Sequence, residues 1–453
     1  MDTVEARPEA VKVAQFVNQV MAGGRQASVE SKRDALQAHV DQLAARELGR
    51  RRGEPKTAGL DRETSAWQCS TCGSRLKSDF SYCGTYRRTV AFADGIAQLE
   101  IPRIRCRCKG NVKPDFGEAL PKRKRHWYDL DLTTLELHVE GLSYRAAARF
   151  FGRRNCQVGI GSLAGKIRAF CDVDINATVA DQYAGAVTLD GAFWRVGTGS
   201  RAHLYVHEVL KRDRPLVRDG EQVAWYRTGK VLACNLAAEE TRDAWEQTLN
   251  TLGPEGQGLV DDQQPIWAVS DGNRGLLAAL DLCLPWSIKQ RCCWHIAHRA
   301  RNRTSEPNKD AFERDALWVF NGADVPQAFS RLGRFVDRWL DEEPDAVSSV
   351  ARKFDLGVEY LRHPELAVRP RTVGISERYN QEPKRRFRAM RGFGSEQNMK
   401  AMTRLIALRH NCLIDGTDWL NYAAHWVWDA PTPAATTQQQ QGPKPPPYTK
   451  QGT

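Results

Sequence analysis

The sequence predicts a multidomain α/β protein, and three features of the 453-residue chain lead to that prediction. Five of the twelve cysteines fall between positions 69 and 108, which indicates a small metal-binding unit. A run of helical patterns follows, and the pattern then changes to short β-branched segments that alternate with helices. A chain of this length is sufficient for two or three domains.

The chain is basic, with 66 Lys and Arg residues against 55 Asp and Glu, a net charge of +11 and a pI near 9.1. DNA is a suitable partner for this charge, although an ordinary basic soluble protein can have the same balance. The distribution favours DNA, because the basic residues cluster. The clusters are Arg50, Arg51 and Arg52, then Lys122, Arg123, Lys124 and Arg125, and finally Lys384, Arg385, Arg386 and Arg388.

No stretch of the sequence is typical of a membrane span or a secretory signal. Runs of eighteen or more apolar residues are absent, and the first residues lack a basic segment followed by an apolar one. We therefore expect a cytoplasmic, nucleoid-associated protein with no membrane partner, in which the cysteines stay reduced.

Residues 1–60 form a predicted N-terminal helical segment. An amphipathic helix is expected over residues 29–50, with Leu36, Val40, Leu43 and Ala44 on one face. This face can pack on the next domain or on another subunit, and the sequence leaves both options open.

Residues 61–118 are predicted to form a zinc ribbon, in which a hairpin with its turn at Asp94-Gly95 lies between two cysteine pairs. Two pairs on two loops can present four thiolates tetrahedrally to Zn²⁺, and so small a unit needs such a staple to fold. The predicted ligands are Cys69, Cys72, Cys106 and Cys108. Reduced thiols that bind no metal are the alternative. Cys83 is a further candidate ligand, and it would take the place of Cys108.

Residues 119–180 are predicted to form a helix-turn-helix DNA-binding domain. A leucine-rich helix ends at Gly141, Ser143 caps a second helix that stops at Gly152, and a third helix follows near residues 163–170. Two helices joined by a short turn, with a basic third helix, are typical of this motif. Helical hairpins that bind nothing are common, and the preceding KRKR run favours the DNA-binding interpretation.

The pattern becomes α/β over residues 181–296. Three strands, a helix, a strand, a helix and a strand are expected, which is the order of an RNase H-like catalytic core. The strands are predicted at 186–189, 203–210, 231–235, 267–270 and 287–292, and the helices at 241–252 and 275–282.

The rest of the chain is predicted to be largely helical. Residues 297–370 form an all-helical insertion, residues 371–425 return to the core with an acid-bearing helix, and residues 426–453 are a low-complexity, disordered tail. The insertion carries an apolar face made of Trp318, Phe320, Phe329, Leu332, Phe335 and Trp339.

Asp190 and Asp271 each follow a predicted buried strand, at the edge where open α/β sheets bind ligands. A glycine follows each aspartate, and we expect it to leave room for a ligand. If the two strands are neighbours, the carboxylates meet and need a cation between them. Mg²⁺ or Mn²⁺ suits such oxygen ligands, and two ions roughly 3.5–4 Å apart support an in-line phosphoryl displacement. For either aspartate alone, a turn or a helix cap is the alternative.

Glu377 is the candidate third acid, because it opens a helical stretch that continues into a strongly basic run. Ser376 is a possible cap of this helix, and Glu382 competes for the third position. Pro383 removes a backbone donor where the helix should continue, so the helix is expected either to begin near Pro383 or to kink there. Both arrangements would shift Glu377 relative to the aspartates.

These stretches resemble the Mutator-like superfamily of DD-E transposases over roughly residues 67–410. The matching segments are TLDGAFW from residue 188, AVSDGNRGLLAALDLCLPWSIKQRCCWHIAHRARN from residue 268, and GISERYNQEPKRRFRAMRGFGSEQNMKAMTRLIA from residue 374. Cys292 and His295 fit the Cys-x-x-His signature of that superfamily. The cysteine segment is similar to the zinc ribbon of some bacterial insertion-sequence transposases.

The resemblance implies that Asp190, Asp271 and Glu377 form a metal-binding catalytic triad. Cys292 and His295 are expected to pack behind this site, the alternative being a zinc site shared with His298 or Cys293. The implied function is a DNA transposase that acts on terminal inverted repeats and target DNA as at least a dimer. A domesticated, inactive DNA-binding protein and a structure-selective nuclease of the same fold are the alternatives.

Overall fold

The computed structural model of the chain describes residues 28–55, 59–116, 120, 126–173, 175, 185–211, 216–218, 221–223, 226–252, 266–390, 393–420 and 423. The basic run at 122–125 and the tail predicted at 426–453 lie outside these residues. The described part of the chain has a mixed α/β fold with three separate sheets and many helices. None of its helices is long and apolar enough to cross a lipid bilayer.

A long helix and a hairpin make up the N-terminal unit. Helix α1 (Val29–Leu48) lies against strand β2 (Gly95–Cys106), which pairs antiparallel with β1 (Phe80–Phe92) and with the short β3 (Asn111–Val112). The side chain of Gln37 and the backbone of Glu100 exchange two hydrogen bonds across this contact, at 2.9 and 2.8 Å. The predicted helix and hairpin are confirmed, and the apolar face of α1 packs on the adjacent hairpin.

Three helices follow, as the sequence predicts. They are α2 (Tyr128–Val139), α3 (Tyr144–Gly152) and α4 (Ile160–Arg168). The Ser143 hydroxyl caps α3 by accepting a hydrogen bond from the backbone N–H of Ala146 at 3.3 Å, a common way to satisfy a free N-terminal donor. Leu130, Phe151 and Leu163, one from each helix, are fully buried together.

A five-stranded sheet forms the centre of the chain. Its strands are β4 (Ala186–Val196), β5 (Gly199–Lys211), β8 (Tyr226–Ala237), β9 (Trp267–Ser270) and β10 (Ile288–Arg291), in the spatial order β10-β9-β4-β5-β8. Strands β10, β9 and β4 run parallel, whereas β5 is antiparallel to both of its neighbours. Two short strands, β6 (Leu216–Arg218) and β7 (Glu221–Val223), pair with each other in the β5–β8 connection.

Helices cover both faces of this sheet. On one face, α5 (Arg242–Asn250) and α6 (Arg274–Cys283) bury Trp245 and Leu280 against strand residues such as Leu189. On the other face lie α13 (Gly374–Ala389) and α14 (Glu396–Ile414), whose buried side chains pack with Tyr205 of β5. The predicted order of strands and helices between residues 186 and 291 is present.

Strand β4 is longer than predicted. The sequence indicates a strand that ends at Asp190, but β4 continues to Val196 and pairs with β5 from Val187 to Val196. Asp190 therefore lies within the strand. Only the parallel pairing with β9 stops beside it, at Leu189 and Ser270.

Six helices form the segment before α13. They are α7 (Cys293–Arg301), α8 (Lys309–Val319), α9 (Val325–Trp339), α10 (Pro344–Ala351), α11 (Phe354–Gly357) and α12 (Glu359–Arg362). Phe320, Phe335 and Trp339 are buried here, as predicted. The prediction is wrong for Trp318 and Phe329, which are 37% and 66% exposed.

Helix α13 runs without interruption through Pro383. It begins at Gly374, nine residues before the proline, so the predicted start near Pro383 is wrong. Ser376 does not cap the helix, since it lies inside the first turn. Its buried hydroxyl forms a hydrogen bond with that of Thr188 on β4, which fixes the helix to the centre of the sheet.

Candidate active site and cysteine cluster

Asp190 and Asp271 lie on neighbouring strands at the same height. Leu189 of β4 pairs with Ser270 of β9 in parallel register. Asp190 is the next residue of β4, and Asp271 directly follows the end of β9. Asp271 begins a turn in which its Oδ1 accepts a hydrogen bond from the backbone N–H of Asn273 at 2.8 Å. Its Oδ2 forms an ion pair with Arg299 of α7. The two aspartates are therefore adjacent where the parallel pairing of β4 and β9 ends, as the sequence predicts for neighbouring strands.

Helix α13 brings Glu377 to the same edge. One turn later, Asn380 donates a hydrogen bond from Nδ2 to Asp190 Oδ2 at 2.8 Å. The Oε1 atom of Glu377 lies 3.7 Å from Nε2 of His295 on α7. The three predicted acids thus belong to three elements that meet at one place, with Asn380 as the direct link between β4 and α13.

Negative charge is concentrated around Asp190. Burial, followed by the charges on Glu377, Asp271 and Glu240, raises the pKa of Asp190 to about 7. Burial also raises the pKa values of Glu377 and Glu240. Like charges that are close and partly desolvated favour the protonated form unless a cation compensates them. The carboxylate oxygens of these acids do not all lie within 4.8 Å of one another. Among the described residues, only the cysteine cluster below has its ligand atoms that close together.

The carboxylate of Glu382, the competing acid, accepts hydrogen bonds from two arginines. Its Oε1 accepts a hydrogen bond from Arg386 at 2.6 Å and another from Arg409 at 3.2 Å. The negative charges that act on Asp190 come from Glu377, Asp271 and Glu240, so Glu377 is the acid of α13 that faces the aspartates.

His295 lies beside Glu377, and Cys292 lies next to the start of α13. The buried Cys292 sulfur accepts a hydrogen bond from the backbone N–H of Val373 at 3.4 Å, just before α13 begins. Burial lowers the pKa of His295 to about 4, so its ring is neutral at physiological pH. The alternative zinc partners are engaged elsewhere: Cys293 donates to the Gly357 carbonyl, and His298 contacts Glu313 at 2.9 Å.

Four thiols converge at the base of the hairpin. The Sγ atoms of Cys69, Cys72, Cys106 and Cys108 all lie within 4.8 Å of one another. The Cys69–Cys108 separation is 3.6 Å and the Cys72–Cys106 separation is 3.7 Å. Tetrahedral Zn²⁺ with bonds of about 2.3 Å places its sulfur ligands about 3.8 Å apart, so the cluster fits such an ion. The four thiols can hold a metal such as zinc.

Backbone amides favour the thiolate form of Cys69, whereas burial raises the pKa of the Cys106 thiol. The N–H groups of Cys72 and Thr71 hydrogen-bond to the Cys69 sulfur and lower the pKa of that thiol to about 6. The N–H of Gly110 donates to Cys108 at 3.4 Å, so Cys108 is an integral member of the cluster. Cys83 lies exposed in the bulged part of β1 and is not among the four.

Comparison with known proteins connects these features to one family. Residues 222–414 match the family model described as "Transposase, Mutator family". This part of the chain is similar to Mutator-family transposases. The match includes Asp271 and Glu377 and begins after Asp190.

Insertion-sequence transposases are similar to the chain over most of its length. The transposase for insertion sequence element ISRM5 of Rhizobium meliloti (strain 1021) is 22% identical over 356 residues, which cover 77% of this chain and 84% of the relative. The transposase for IS256 in transposon Tn4001 of Staphylococcus aureus is 20% identical over 337 residues, covering 71% and 78%. The Mutator-like resemblance indicated by the sequence motifs is confirmed.

The matched segment contains a fourth acid that sequence reasoning missed. Glu240 lies just before α5, and its carboxylate is 2.9 Å from where a Cβ on Gly191 would stand. The indole N–H of Trp245 donates to Glu240 Oε1 at 3.1 Å and orients it. The only signal in the sequence was the pair Glu239-Glu240 at the start of a helix, which is also ordinary for a helix N-terminus.

The glycines beside the aspartates do not leave open space, contrary to expectation. The carboxylate of Glu240 covers Gly191. At Gly272, which has φ +82°, an added Cβ would fall 1.4 Å from the Arg291 guanidinium carbon. At each glycine, a charged side chain of this protein packs so closely that a residue with a Cβ would collide with it.

The basic run of α13 is only partly accessible. Arg385 and Arg388 are exposed and Lys384 is half-buried. Arg386 is 2% exposed and pairs with Glu382, so its predicted contact with DNA does not fit its position in the fold. The helical period places it on the inner face of α13, which linear clustering of charge cannot reveal.

Proposed function

We propose that the chain is a DNA transposase that binds terminal inverted repeats and catalyses metal-dependent strand cleavage and strand transfer. The observation that carries the proposal is the meeting of Asp190, Asp271 and Glu377 at one sheet edge, where the pKa of Asp190 is raised to about 7. Such a site has excess negative charge that divalent cations relieve, and phosphoryl transfer depends mainly on positioning and charge stabilisation.

The proposed catalytic domain is an RNase H-like core made of residues 181–296 and 371–425, interrupted by the helical insertion at 297–370. The mixed sheet supports this proposal, because its first three strands are antiparallel neighbours and the next two add in parallel on the other side of β4. The proposed accessory units are the zinc ribbon at 61–118 and the helix-turn-helix at 119–180.

Asp190, Asp271 and Glu377 are the proposed ligands of Mg²⁺ or Mn²⁺. Two such ions would activate the attacking hydroxyl and stabilise the leaving oxygen. Asn380 orients Asp190 through its hydrogen bond. Arg299, now paired with Asp271, is near enough to offer its guanidinium to a phosphate when a cation replaces it at that carboxylate.

Zinc is proposed to hold the ribbon together through Cys69, Cys72, Cys106 and Cys108. The sulfur separations support a tetrahedral ion. A structural role follows from position, because the cluster joins the turn at Cys69 to the end of β2 and to the following loop. A unit with so small a core depends on such a crosslink for folding.

DNA is the proposed partner, and exposed arginines support it. Arg103, Arg105 and Arg107 alternate with buried residues at the end of β2 and therefore share one solvated face of the ribbon. Arg385 and Arg388 of α13 are exposed close to the acids in sequence. Cationic side chains of this kind bind the phosphate backbone without reading sequence. Two DNA ends must be brought together, so we further propose at least a dimer.

The test is cleavage of DNA that carries the gene's own flanking sequences, with Mg²⁺ or Mn²⁺, by the wild type, by Asp271→Asn and by Asp281→Asn. Asp281 is a surface acid of α6 and serves as the matched control. We expect metal-dependent nicks at defined ends with the wild type and the control, and none with Asp271→Asn.

Other outcomes would identify other functions. Specific binding without cleavage by any of the three proteins would indicate a DNA-binding protein that has lost turnover. Cleavage of branched substrates without end preference and without joining would indicate a nuclease. Equal cleavage by wild type and Asp271→Asn would contradict the metal site itself.

A further inference from the structure

A cleft on the helical segment combines an exposed tryptophan with several arginines. Helices α8 and α9 leave a cavity of about 450 Å³ between them. We name it the Trp318 cleft, and its lining consists of Arg314, Asp315, Trp318, Arg334, Phe335 and Arg338. The volume is within the range of roughly 300–1,000 Å³ that small-ligand sites occupy.

Trp318 is an exception among the aromatic residues of this segment. Phe312, Phe320 and Phe335 are almost completely buried, whereas Trp318 is 37% exposed. Burial of a tryptophan is strongly favourable, so its exposed ring contributes less to the stability of the bundle than a core position would. Its surroundings are charged: the guanidinium carbons of Arg331 and Arg334 lie 4.8 and 5.9 Å from the ring centroid.

The cleft has an excess of positive charge. Asp315 is the one carboxylate of the lining, and it is already bonded to Arg338 at 2.7 Å and to the indole N–H of Trp339 at 2.9 Å. Arg314 and Arg334 are exposed at the mouth. A ligand that complements this arrangement carries negative charge beside a flat, unsaturated ring.

We propose that the Trp318 cleft binds an unpaired nucleotide of DNA, with its base stacked on Trp318 and the flanking phosphates held by Arg314 and Arg334. Aromatic rings bind bases of single strands by stacking, and arginine adds charge and a planar surface. A base within a duplex is already stacked on both sides, so only an unpaired base presents a free face. The inference rests on the proposed function, since the ligand is DNA.

The test compares two probes with the full-length protein. One is a fluorescein-labelled blunt duplex, and the other is the same duplex with a short unpaired thymidine tail. For the wild type we expect tighter binding of the tailed probe in fluorescence anisotropy. Trp318→Ala should weaken binding of the tailed probe by about ten-fold, the scale of one base–aromatic stack, and leave the blunt duplex unchanged.

Phe329→Ala is the matched control. Like Trp318, Phe329 is an exposed aromatic residue, but it lies on α9 and is 66% exposed. Its ring packs on that of Phe354, with the centroids 6.1 Å apart, and it does not line the cleft. This variant should bind both probes as the wild type does. A thymidine tail substituted with 5-iodouracil should crosslink to Trp318 on irradiation.

The proposal is overturned if Trp318→Ala binds the tailed probe as tightly as the wild type does. It is also overturned if the variant weakens both probes equally, which would indicate a duplex surface. A change of oligomeric state in Trp318→Ala with both DNA affinities unchanged would assign the ring to a protein contact. Failure of the wild type to bind even the blunt duplex would instead refute the proposed function.

Discussion

Asn380 donates a hydrogen bond to Asp190 across 2.8 Å, and the two residues are 190 positions apart in the chain. This contact joins the central strand β4 to helix α13, which also carries Glu377. Asn380 is 8% exposed, and its Oδ1 atom is buried without a hydrogen-bond partner among the described residues. The Asn380 side chain therefore contacts the acidic site from a buried position that is shielded from solvent.

The first prediction concerns this amide as a positioning residue. Asn380→Ala removes the donor that orients Asp190, so we expect slower DNA cleavage and a higher concentration of Mg²⁺ at half-maximal activity. Titration of Mg²⁺ in the cleavage assay measures both. Asn380→Asp should be more harmful than Asn380→Ala, because it adds a further negative charge to the cluster. An unchanged Mg²⁺ midpoint in both variants would argue against a positioning role.

The second prediction concerns the acids. Asp190→Asn and Glu377→Gln should abolish cleavage, by at least about a thousand-fold, because each removes a charged ligand in a site that works by electrostatic stabilisation. Binding of duplex DNA should be retained, as measured by gel shift. Glu239→Gln, an exposed acid beside Glu240, should cleave normally. Cleavage that survives in the Asp190 and Asp271 variants would refute the metal-site proposal.

The third prediction tests the cysteine cluster. Cys69→Ser and Cys106→Ser should lower the zinc content from about one ion per chain towards zero and weaken specific DNA binding, because the ribbon loses its crosslink. Atomic absorption after gel filtration measures the metal. Cys83→Ser should retain the zinc, since Cys83 lies outside the four-thiol cluster. Unchanged zinc in the Cys69 variant would contradict the assignment.

The fourth prediction concerns the turn after Asp271. Gly272→Ala places a Cβ at φ +82° and against the Arg291 guanidinium, so we expect a loss of stability on the order of 1–3 kcal/mol together with reduced cleavage. Gly333→Ala is the matched control, because this exposed glycine lies inside α9 with no atom within 4 Å of the added Cβ. It should stabilise the protein slightly, by up to ~1 kcal/mol. Thermal unfolding compares the two.

The fifth prediction concerns acid sensitivity. His138 of α2 is 1% exposed, its Nδ1 contacts the Leu142 carbonyl at 3.0 Å, and burial lowers its pKa to about 4. In the unfolded chain this histidine has the ordinary pKa near 6.5. On acidification the unfolded state therefore binds a proton at a higher pH than the folded state does. Stability from the neutral ring is fully present above pH 6.5 and decreases as the pH falls towards 4.

The expected loss from His138 between pH 7 and pH 5 is about 2 kcal/mol. Urea unfolding at several pH values measures it. His138→Gln should be less stable than the wild type at pH 7 but should lose less stability on acidification. A wild-type loss no greater than that of His138→Gln would contradict the assignment of this titration to His138.

Much of the local structure follows from the sequence by itself. The spacing of Leu36, Val40 and Ala44 identified helix α1, and Asp94-Gly95 identified the hairpin turn. The cysteine pairs identified the four-thiol cluster. These signals lie within a few residues to a few tens of residues of one another. They report periodicity, turn geometry and ligand spacing, which depend on short-range sterics and on which residue types a metal accepts.

Tertiary structure decided the composition of the acidic site. Asp190 lies inside a long strand because β5 extends the pairing of β4 beyond it, and Glu240 enters the site because the loop before α5 passes over Gly191. Arg386 is buried and Trp318 is exposed, although linear patterns indicated the opposite for both. Strand register and helix rotation depend on contacts between segments far apart in the chain. The sequence therefore determined which elements form, whereas long-range packing decided which side chains meet.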